Sequence, residues 1–385
     1  MRLLHISDLH LGRSLAEYDL KEDQEFILKQ IVSIAEEKKA DAVLIAGDVY
    51  DRPVPSEWAV GLFDRFLSGL SDRGFKVFVI SGNHDSDERL NFGSSLLKAR
   101  NVFISAKYEG KLQREDFTDS CGEVRVYLLP FVKASQVRHF FPDEKIETYE
   151  DAVRAALAHG GIDPSARNIL VAHQFVIGTG GGVSFGGSES SAVRNVGLVE
   201  QISASCFDAF DYTALGHIHS AQQVGRREVR YAGSPLKYSL SEEGNEKSVT
   251  FAELGEKGDV RIELIPLRPL RDLRHIKGKM EQLLSNDIIT DTDDYIYATL
   301  TDEELIDDAM GIFRRYYPRT VRIDYDNSHT REISAAVFSP AEEEKSFSAL
   351  ISEFYHEMYG CPISEEELKE VLDVAKEAGV SDETN

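Results

Sequence analysis

The sequence is poor in cysteine and has no long apolar run. It contains 3 cysteines among 385 residues, and no two of them are spaced as Cys-x-x-Cys. We therefore expect reduced structural thiols, as in a cytoplasmic protein, rather than a disulfide framework. No run of about 18 apolar residues is present, so a membrane-spanning helix is not expected. The first predicted strand begins at Arg2, so a signal peptide is not expected.

Positive charge is also scarce. The chain has 43 basic and 67 acidic residues, for a net charge of −24, which by itself disfavours a polyanionic ligand. The excess of acidic residues is unevenly distributed along the sequence. Residues 341–385 contain 13 acidic and 3 basic residues, whereas residues 1–270 contain 40 acidic and 31 basic residues. Nucleic-acid binding depends on local patches of charge, and bound metal ions would neutralise several carboxylates. The acidity therefore weakens a nucleic-acid function without excluding it.

The length of the chain and the order of its predicted elements indicate two or three domains. Strand and helix patterns alternate up to about residue 100, and β-rich segments follow as far as residue 267. This order fits an α/β fold in which two mixed sheets pack together, with helices on the outside in an αββα arrangement. Amphipathic helices are predicted at residues 23–38, 55–70 and 87–98. We place the end of this first domain at residue 268, where Pro266 and Pro269 interrupt the pattern.

The rest of the chain predicts smaller units. Residues 269–338 form an α+β module, with helices at 270–284 and 307–316 and strands at 295–300 and 320–325. Residues 339–385 form a tail of two helices, and the second opens at Ser364 with a capping-box sequence. The predicted helices, about 343–359 and 364–378, each carry an apolar stripe that so short a segment cannot bury alone. We therefore expect the tail to dock on a partner.

Polar residues that bind metals follow five short apolar runs. The runs read as buried strands, and ligands of α/β proteins bind beyond the carboxyl ends of strands. A single Asp-x-His or Gly-Asp is usually structural, so the prediction depends on all five clusters occurring in this order at strand ends. The clusters are Asp8-x-His10, Gly47-Asp48, Gly82-Asn83-His84-Asp85, His173 and His217-x-His219.

Carboxylate and imidazole groups without cysteine suit manganese, iron or zinc rather than a thiolate centre. Alternate residues of an extended chain point the same way, so Asp8 and His10, or His217 and His219, can reach neighbouring metals. Two cations about 3.5–4 Å apart need a bridging carboxylate. Asp48 is the natural candidate, and the pattern predicts a site for two divalent metal ions.

The order of these clusters resembles the calcineurin-like metallophosphoesterase superfamily. Within it, the similarity is to the SbcD family of bacterial nuclease subunits, and it extends over essentially the whole chain. The segments that carry it are ISDLHLG at 6–12, AGDVYDR at 46–52, ISGNHDS at 80–86, AHQF at 172–175, YTALGHIH at 212–219 and YAGSPL at 231–236.

The resemblance implies a role for each candidate residue. It implies that His84 is catalytic, assisting the leaving group beside the metals. Archaeal and eukaryotic relatives place a second histidine shortly after the bridging carboxylate, where this chain has Asp51 and Arg52, so no second catalytic histidine is assigned. The implied metal ligands are Asp8, His10 and His219 for one ion, Asn83, His173 and His217 for the other, and Asp48 as the bridge.

The implied activity is manganese-dependent cleavage of DNA, as a 3′–5′ double-strand exonuclease and a single-strand and hairpin endonuclease. The small module would act as a capping domain that positions DNA, with an arginine cluster at residues 314–322. The tail would dock on an SbcC-type ABC ATPase with coiled coils, giving a heterotetramer in which this chain forms a homodimer through helices near 55–70 and 87–98. Such a complex acts in DNA repair, recombination and replication, in the cytoplasm and on the nucleoid.

Two alternatives remain open. A small-molecule phosphodiesterase or a protein phosphatase of the same superfamily would have the same metal core, but it would need neither a DNA-guiding module nor an exposed helical tail after residue 270. A scaffold that has lost its metals would lack some of the ligand residues, whereas every implied ligand position is filled in this chain.

Overall fold

The computed structural model describes residues 1–178, 201–285 and 289–328, together with 351–352, 355, 363–364 and 367–371. Contacts divide the chain into two units. The first contains residues 1–300 and 306–324, and the second contains residues 301–305 and 325–385. The first unit thus extends past residue 268, and the predicted three-domain division stays a prediction.

Most of the first unit consists of short strands, listed here in chain order. They are β1 Arg2–Ile6, β2 Ser14–Leu15, β3 Tyr18–Asp19, β4 Ala42–Ala46, β5 Lys76–Ile80, β6 Val102–Ser105, β7 Gln113–Asp119, β8 Gly122–Leu129, β9 Arg167–His173, β10 Val176–Ile177, β11 Ile202–Ser203, β12 Tyr212–Gly216, β13 Gln222–Val224, β14 Arg226–Tyr231, β15 Ser248–Leu254, β16 Val260–Pro266, β17 Leu273–Gly278, β18 Tyr295–Leu300 and β19 Thr320–Tyr325.

The helices have bounds as follows, with short 3₁₀ turns at Lys98–Arg100, Ala204–Phe207 and Leu240–Glu242. They are α1 Lys21–Glu37, α2 Glu57–Asp72, α3 Asp87–Leu90, α4 Ser94–Leu97, α5 Ala134–Arg138, α6 Tyr149–Ala158, α7 Met280–Leu283 and α8 Ala309–Arg314.

Two six-stranded mixed sheets form the body of the first unit. Their strand orders are β16-β15-β1-β4-β5-β6 and β13-β14-β12-β9-β8-β7. One apolar cluster contains buried residues of both sheets, while α1 and α2 pack on the outer face of the first sheet and α5 and α6 on that of the second. This is the predicted two-sheet αββα sandwich, and the α/β fold class is confirmed.

Parallel pairing aligns the carboxyl ends of the strands that precede the metal-binding clusters. In the first sheet, β1 pairs with β4 through Ile6 and Ile45, and β4 pairs with β5 through Ala46 and Ile80. In the second sheet, β9 and β12 pair in parallel, with His173 opposite Gly216. Because parallel strands end at one edge of a sheet, the residues that follow them lie close together.

Two predicted helices differ from those observed. The helix predicted at 87–98 consists of α3 and α4, because Gly93 between them adopts a φ of 75°, which a continuous helix does not allow. The helix predicted at 270–284 is β17 followed by the single turn α7. The alternating burial of β17 fits a strand paired in parallel with β18.

The three-stranded sheet β17-β18-β19 completes the first unit together with α7 and α8. In the second unit, Ser364 and Glu367 exchange the two hydrogen bonds of the predicted capping box. The tail helices predicted at 343–359 and 364–378 otherwise fall largely outside the described residues. No helix within the described ranges has the length and apolar character needed to cross a lipid bilayer.

Candidate metal centre

The five predicted clusters meet where strands of the two sheets end. Asp8 and Asp48 each follow their strand by two residues, and His173 is the last residue of β9. Asp8, His10, Asp48, His173 and His219 are buried, whereas Asn83 is exposed and His84 and His217 are partly exposed. The centre therefore opens to solvent on the side of the latter three residues.

The first group of side chains comes from β1 and β12. The Nε2 atoms of His10 and His219 lie 3.1 Å apart. Asp8 lies with them, and one ligand atom of each of the three residues falls within 4.8 Å of the others. Such a convergence of imidazole nitrogens with a carboxylate is suited to a divalent cation.

The second group comes from β5, β9 and β12. The Oδ1 atom of Asn83 lies 3.1 Å from Nε2 of His173 and 3.0 Å from Nδ1 of His217. An amide oxygen between two imidazole nitrogens supplies one oxygen and two nitrogen donors to a common point.

Asp48 lies between the two groups. Its Oδ2 atom is 3.7 Å from Nε2 of His10 and 3.4 Å from Nε2 of His173. Its Oδ1 atom accepts a hydrogen bond of 2.9 Å from the backbone N–H of His84. One carboxylate thus reaches both groups, as a bridging ligand must.

Two histidines of the centre are held by partners behind them. Nδ1 of His173 donates to the carbonyl of Ala46 over 2.8 Å, so Nε2 is the nitrogen that faces the centre. Nδ1 of His219 lies 3.1 Å from Oε1 of Glu242. A carboxylate in that position orients a ligand histidine and raises its basicity.

Glu242 was not predicted from the sequence. It is fully buried, and its other oxygen lies 2.5 Å from Nζ of Lys247, which also donates to the carbonyl of His219 and to Ser234. The sequence Ser-Glu-Glu around Glu242 is typical of a solvated surface turn. The sequence feature that could have pointed to Glu242 is its position between the last predicted metal-binding cluster and the next strand.

Three glycines let the strand ends approach. A Cβ atom at Gly47 would overlap the ring of His173, one at Gly82 would overlap the carboxylate of Asp48, and one at Gly216 would overlap the carbonyl of Ala46. The backbone is strained nearby, because Asp8, His10, Asp48 and His217 all have positive φ angles. Non-glycine residues adopt such angles rarely, and mostly where the surrounding structure enforces them.

The electrostatics of the centre favour a bound cation. Burial raises the pKa of Asp8. Burial also opposes a charge on Asp48, but its attraction to His173 and their hydrogen bond hold the pKa of Asp48 well below its usual range. The same pairing outweighs burial at His173 and raises the pKa of that imidazole to about 9. The buried carboxylate of Asp48 thus stabilises a positive charge beside it, and a bound divalent cation would supply such a charge.

Another buried carboxylate, that of Asp85, lies behind the metal-binding side chains. Asp85 accepts backbone hydrogen bonds from Val49, Tyr50 and Gly82, which fixes the two loops of the first sheet to each other. Burial, with repulsion from Asp48, raises the pKa of Asp85 to about 6. Asp85 therefore shapes the centre rather than lining it.

His84 lies at the open side of the centre. Its Nδ1 atom donates to the carbonyl of Asp51 over 3.1 Å, and its ring meets that of His10 edge to face at 4.9 Å. The Asp51 carboxylate pairs with Arg13 at 3.1 Å and lies 3.9 Å from Nδ1 of His10. Asp51 thus occupies the stretch where some relatives of the resembled family have a second histidine.

Comparisons with known proteins were consistent with this geometry. Residues 1–221 match the profile of the calcineurin-like phosphoesterase family. Residues 269–359 match the profile of the SbcD C-terminal domain, described as the Type 5 capsule protein repressor C-terminal domain. The two matches together are consistent with an SbcD-type nuclease subunit.

Three solved structures are similar to parts of this chain. A dimetal phosphatase from Danio rerio is 13% identical, with a TM-score of 0.38, and covers 70% of this chain and 98% of its own. A protein from Thermus thermophilus is 13% identical, with a TM-score of 0.39, and covers 68% and 98%. The phosphoesterase Yfce from E. coli is 14% identical, with a TM-score of 0.27, and covers 70% and 100%.

The first family profile spans more than half of the 385 residues, and it includes every residue of the metal centre from Asp8 to His219. The grouping of carboxylate and imidazole ligands is what hydrolysis assisted by divalent metal ions requires. This protein therefore belongs to the calcineurin-like phosphoesterase family of metal-dependent hydrolases.

Proposed function

We propose that this protein is a DNA nuclease subunit that hydrolyses phosphodiester bonds with two Mn²⁺ ions. The observation that carries the proposal is the meeting of two ligand groups around Asp48, with His84 beside them, in a chain that also matches the SbcD C-terminal profile. The first feature supports hydrolysis of a phosphate ester. The second favours DNA over a small molecule or a phosphoprotein.

In this proposal, Asp8, His10 and His219 would hold one ion, Asn83, His173 and His217 would hold the other, and Asp48 would serve both. The bound ions would supply Lewis acidity and a nucleophilic hydroxide for attack on the phosphorus. The residues fit that role because Ala46 and Glu242 orient His173 and His219 from behind. The oxygen and nitrogen donors suit manganese, iron or zinc, and we propose manganese.

His84 would deliver a proton to the departing oxygen of DNA. Its Nδ1–H donates to the Asp51 carbonyl, which can only accept, so Nε2 is the nitrogen that gains and loses a proton. The ring is partly exposed at the open side of the centre, where a substrate can reach it. Its backbone N–H also fixes the Asp48 carboxylate.

The arginines proposed to position duplex ends are largely engaged with acidic residues. Arg314 pairs with Glu17, Arg319 pairs with Asp293, and Arg322 lies 2.8 Å from Asp324. Arg315 is exposed, while Tyr317 of the same segment is buried. The predicted cluster is therefore not a patch of unopposed positive charge, and any DNA-positioning role of this module would depend on rearranged ion pairs.

Two protein partners belong to the proposal. The SbcD C-terminal match supports an SbcC-type ATPase, for which the tail after residue 339 would be the docking segment. A homodimer through the α2 and α3–α4 region is supported by two exposed apolar side chains, since Phe92 is 87% exposed and Leu96 is 80% exposed. A nuclease working with this ATPase would act in the cytoplasm.

The proposal can be tested by incubating the purified chain and Mn²⁺ with labelled linear duplex and hairpin DNA. A nitrophenyl phosphodiester and a phosphoserine peptide serve as the competing substrates. We expect metal-dependent shortening of the duplex, abolished by a chelator and by Asp48→Asn. Hydrolysis of the small ester or the peptide without any cleavage of DNA would favour the small-molecule phosphodiesterase or protein phosphatase instead.

A further inference from the structure

The loop that follows β1 has a strained backbone. Asp8 and His10 have φ angles of 53° and 41°, and Gly12 has a φ angle of 93°. Non-glycine residues rarely adopt such angles, and they keep them only where the surrounding structure holds them in place. The candidate ligands Asp8 and His10 both belong to this loop. The contacts that hold its backbone therefore decide where those two side chains lie.

Gln24 of α1 holds the loop through both ends of its side-chain amide. The residue is 1% exposed. Its Nε2 donates to the carbonyl of His10 over 2.8 Å, and its Oε1 accepts the backbone N–H of Gly12 over 3.0 Å. A side-chain amide offers a donor and an acceptor, as a peptide group does, so Gln24 pairs with the loop as a neighbouring strand would. The helix itself is anchored, because Ile27 and Ile31 are buried in the core.

Tyr238 holds the same loop one residue earlier. Its hydroxyl donates to the carbonyl of Leu9 and accepts a bond of 3.4 Å from Nε2 of Gln24. Its ring meets the imidazole of His10 edge to face at 5.6 Å, and that of His219 at 6.1 Å. Gln24 and Tyr238 thus form one connected support behind the loop.

This support acts on one of the two ligand groups. Asp8 and His10 lie on the loop, whereas the ligands of the second group come from other segments. Asn83 follows β5, His173 ends β9 and His217 follows β12. Loss of the support should therefore disturb one ion more than the other.

We propose that Gln24 is a positioning residue that sets the affinity of the ion that Asp8, His10 and His219 would hold. The inference rests on the proposed two-ion centre. Gln24 acts through the peptide groups of the loop and not as a ligand. Without its two hydrogen bonds, the strained backbone would relax, and Asp8 and His10 would no longer be held toward a common point. Outer contacts of this kind typically change metal affinity about 10–100-fold.

The test compares Gln24→Met with Gln30→Met in the full chain. Methionine is unbranched and of similar length, but it makes neither hydrogen bond. Gln30 is the matched control, because it lies on the same helix and its amide also binds a backbone segment at both ends. Its Oε1 accepts the N–H of Arg268 over 2.8 Å, and its Nε2 donates to the carbonyl of Arg268 over 3.3 Å.

The measurement is a competition titration of Mn²⁺ against a chelator. We expect Gln24→Met to weaken the binding of one of the two ions by about 10–100-fold, and Gln30→Met to weaken neither. Anomalous scattering from Gln24→Met crystals at limiting Mn²⁺ should show reduced occupancy of the ion beside His10 and His219, and full occupancy of the ion beside His173.

Unchanged binding of both ions in Gln24→Met, or equal weakening of both, would overturn the inference, whatever the effect on the unfolding free energy. If Gln24→Met does not fold, Tyr238→Phe decides. That variant removes only the hydroxyl that binds Leu9, and it should lower the affinity of the same ion. A wild-type chain that binds fewer than two ions would instead contradict the proposed centre, and this inference with it.

Discussion

His84 is the imidazole of the centre best placed to act on a substrate rather than on a metal. Its Nδ1 is engaged by the Asp51 carbonyl, and its ring faces the open side. We expect His84→Gln to keep both metals, measured by elemental analysis, and to lower DNA cleavage by about 10²–10⁴-fold, as loss of general acid–base assistance does. The exposed His139 provides the control, because His139→Gln should change neither quantity. Loss of metal, or nearly normal cleavage, in His84→Gln would show that the residue has another role.

Glu242 and Lys247 are expected to control the metal affinity of His219. Loss of such an outer carboxylate typically lowers metal affinity about 10–100-fold, so we expect Glu242→Gln to weaken metal binding by that factor in a competition titration with a chelator. The neighbouring Glu243, which lies 3.6 Å from His275, is the control, and Glu243→Gln should bind metal normally.

Variants of Glu242 and Lys247 can also show whether Glu242 stabilises the fold or orients His219 as a metal ligand. Glu242→Gln also leaves Lys247 buried without its anion, which should lower the unfolding free energy by about 3–5 kcal/mol. Adding Lys247→Met should recover much of that stability but not the metal affinity. Recovery of both quantities together would mean that Glu242 acts on the fold and not on His219.

At the scale of single residues, the sequence indicated the candidate metal ligands better than the residues that hold those ligands in place. The ligand candidates were recognisable because strand ends meet in an α/β sheet. Asp, Asn and His seldom recur after several strands unless they bind a common ligand. Glu242 and Asp85 act from behind, through His219 and through backbone N–H groups. Such contacts depend on the packing of loops that are distant in sequence, which no local pattern encodes.

At the scale of secondary structure elements, one strand and one long helix were predicted closely, whereas β17 was predicted as a helix and the helix at 87–98 as unbroken. Predicted strand 320–325 coincides with β19, and predicted helix 23–38 differs from α1 by a residue or two. Both have a clear apolar period in sequence, and in α1 the buried residues follow it. The segment 87–98 has apolar residues as well, but Gly93 interrupts the helix, and Phe92 and Leu96 are exposed whereas Leu90 and Leu97 pack against the core.

The exposed α3–α4 segment gives a test of the dimer. If Phe92 and Leu96 are buried between two copies, the double variant Phe92→Ser and Leu96→Ser should be a monomer, whereas the wild type should be a dimer by light scattering at micromolar concentration. Phe26→Ser, at a less exposed position on α1, serves as the control and should remain dimeric. A monomeric wild type, or a dimeric double variant, would remove the support for this interface.

On the scale of the whole molecule, the acidity is concentrated toward the end of the sequence. Residues 341–385 contain 13 acidic and 3 basic residues and lie almost entirely outside the described part of the chain. We expect their deletion to leave the metal content and basal Mn²⁺-dependent cleavage unchanged, because every residue of the centre precedes residue 243.

The same deletion should abolish stable association with the ATPase and ATP-stimulated cleavage. Co-purification with an SbcC-type ATPase is the measurement, with the full-length chain as its reference. Undiminished association of the truncated chain would place the docking surface within the first 340 residues.

The close approach of strand ends at Gly47, Gly82 and Gly216 has a consequence for how this gene tolerates mutation. None of the three glycines offers an atom to a metal or a proton to a substrate, yet any side chain at these positions meets His173, Asp48 or the Ala46 carbonyl. In a saturation-mutagenesis survey scored by activity, alanine at these three sites should be as harmful as the loss of a ligand. Alanine at Gly74, where an added Cβ meets nothing, would be strained only by its positive φ angle and should be tolerated far better.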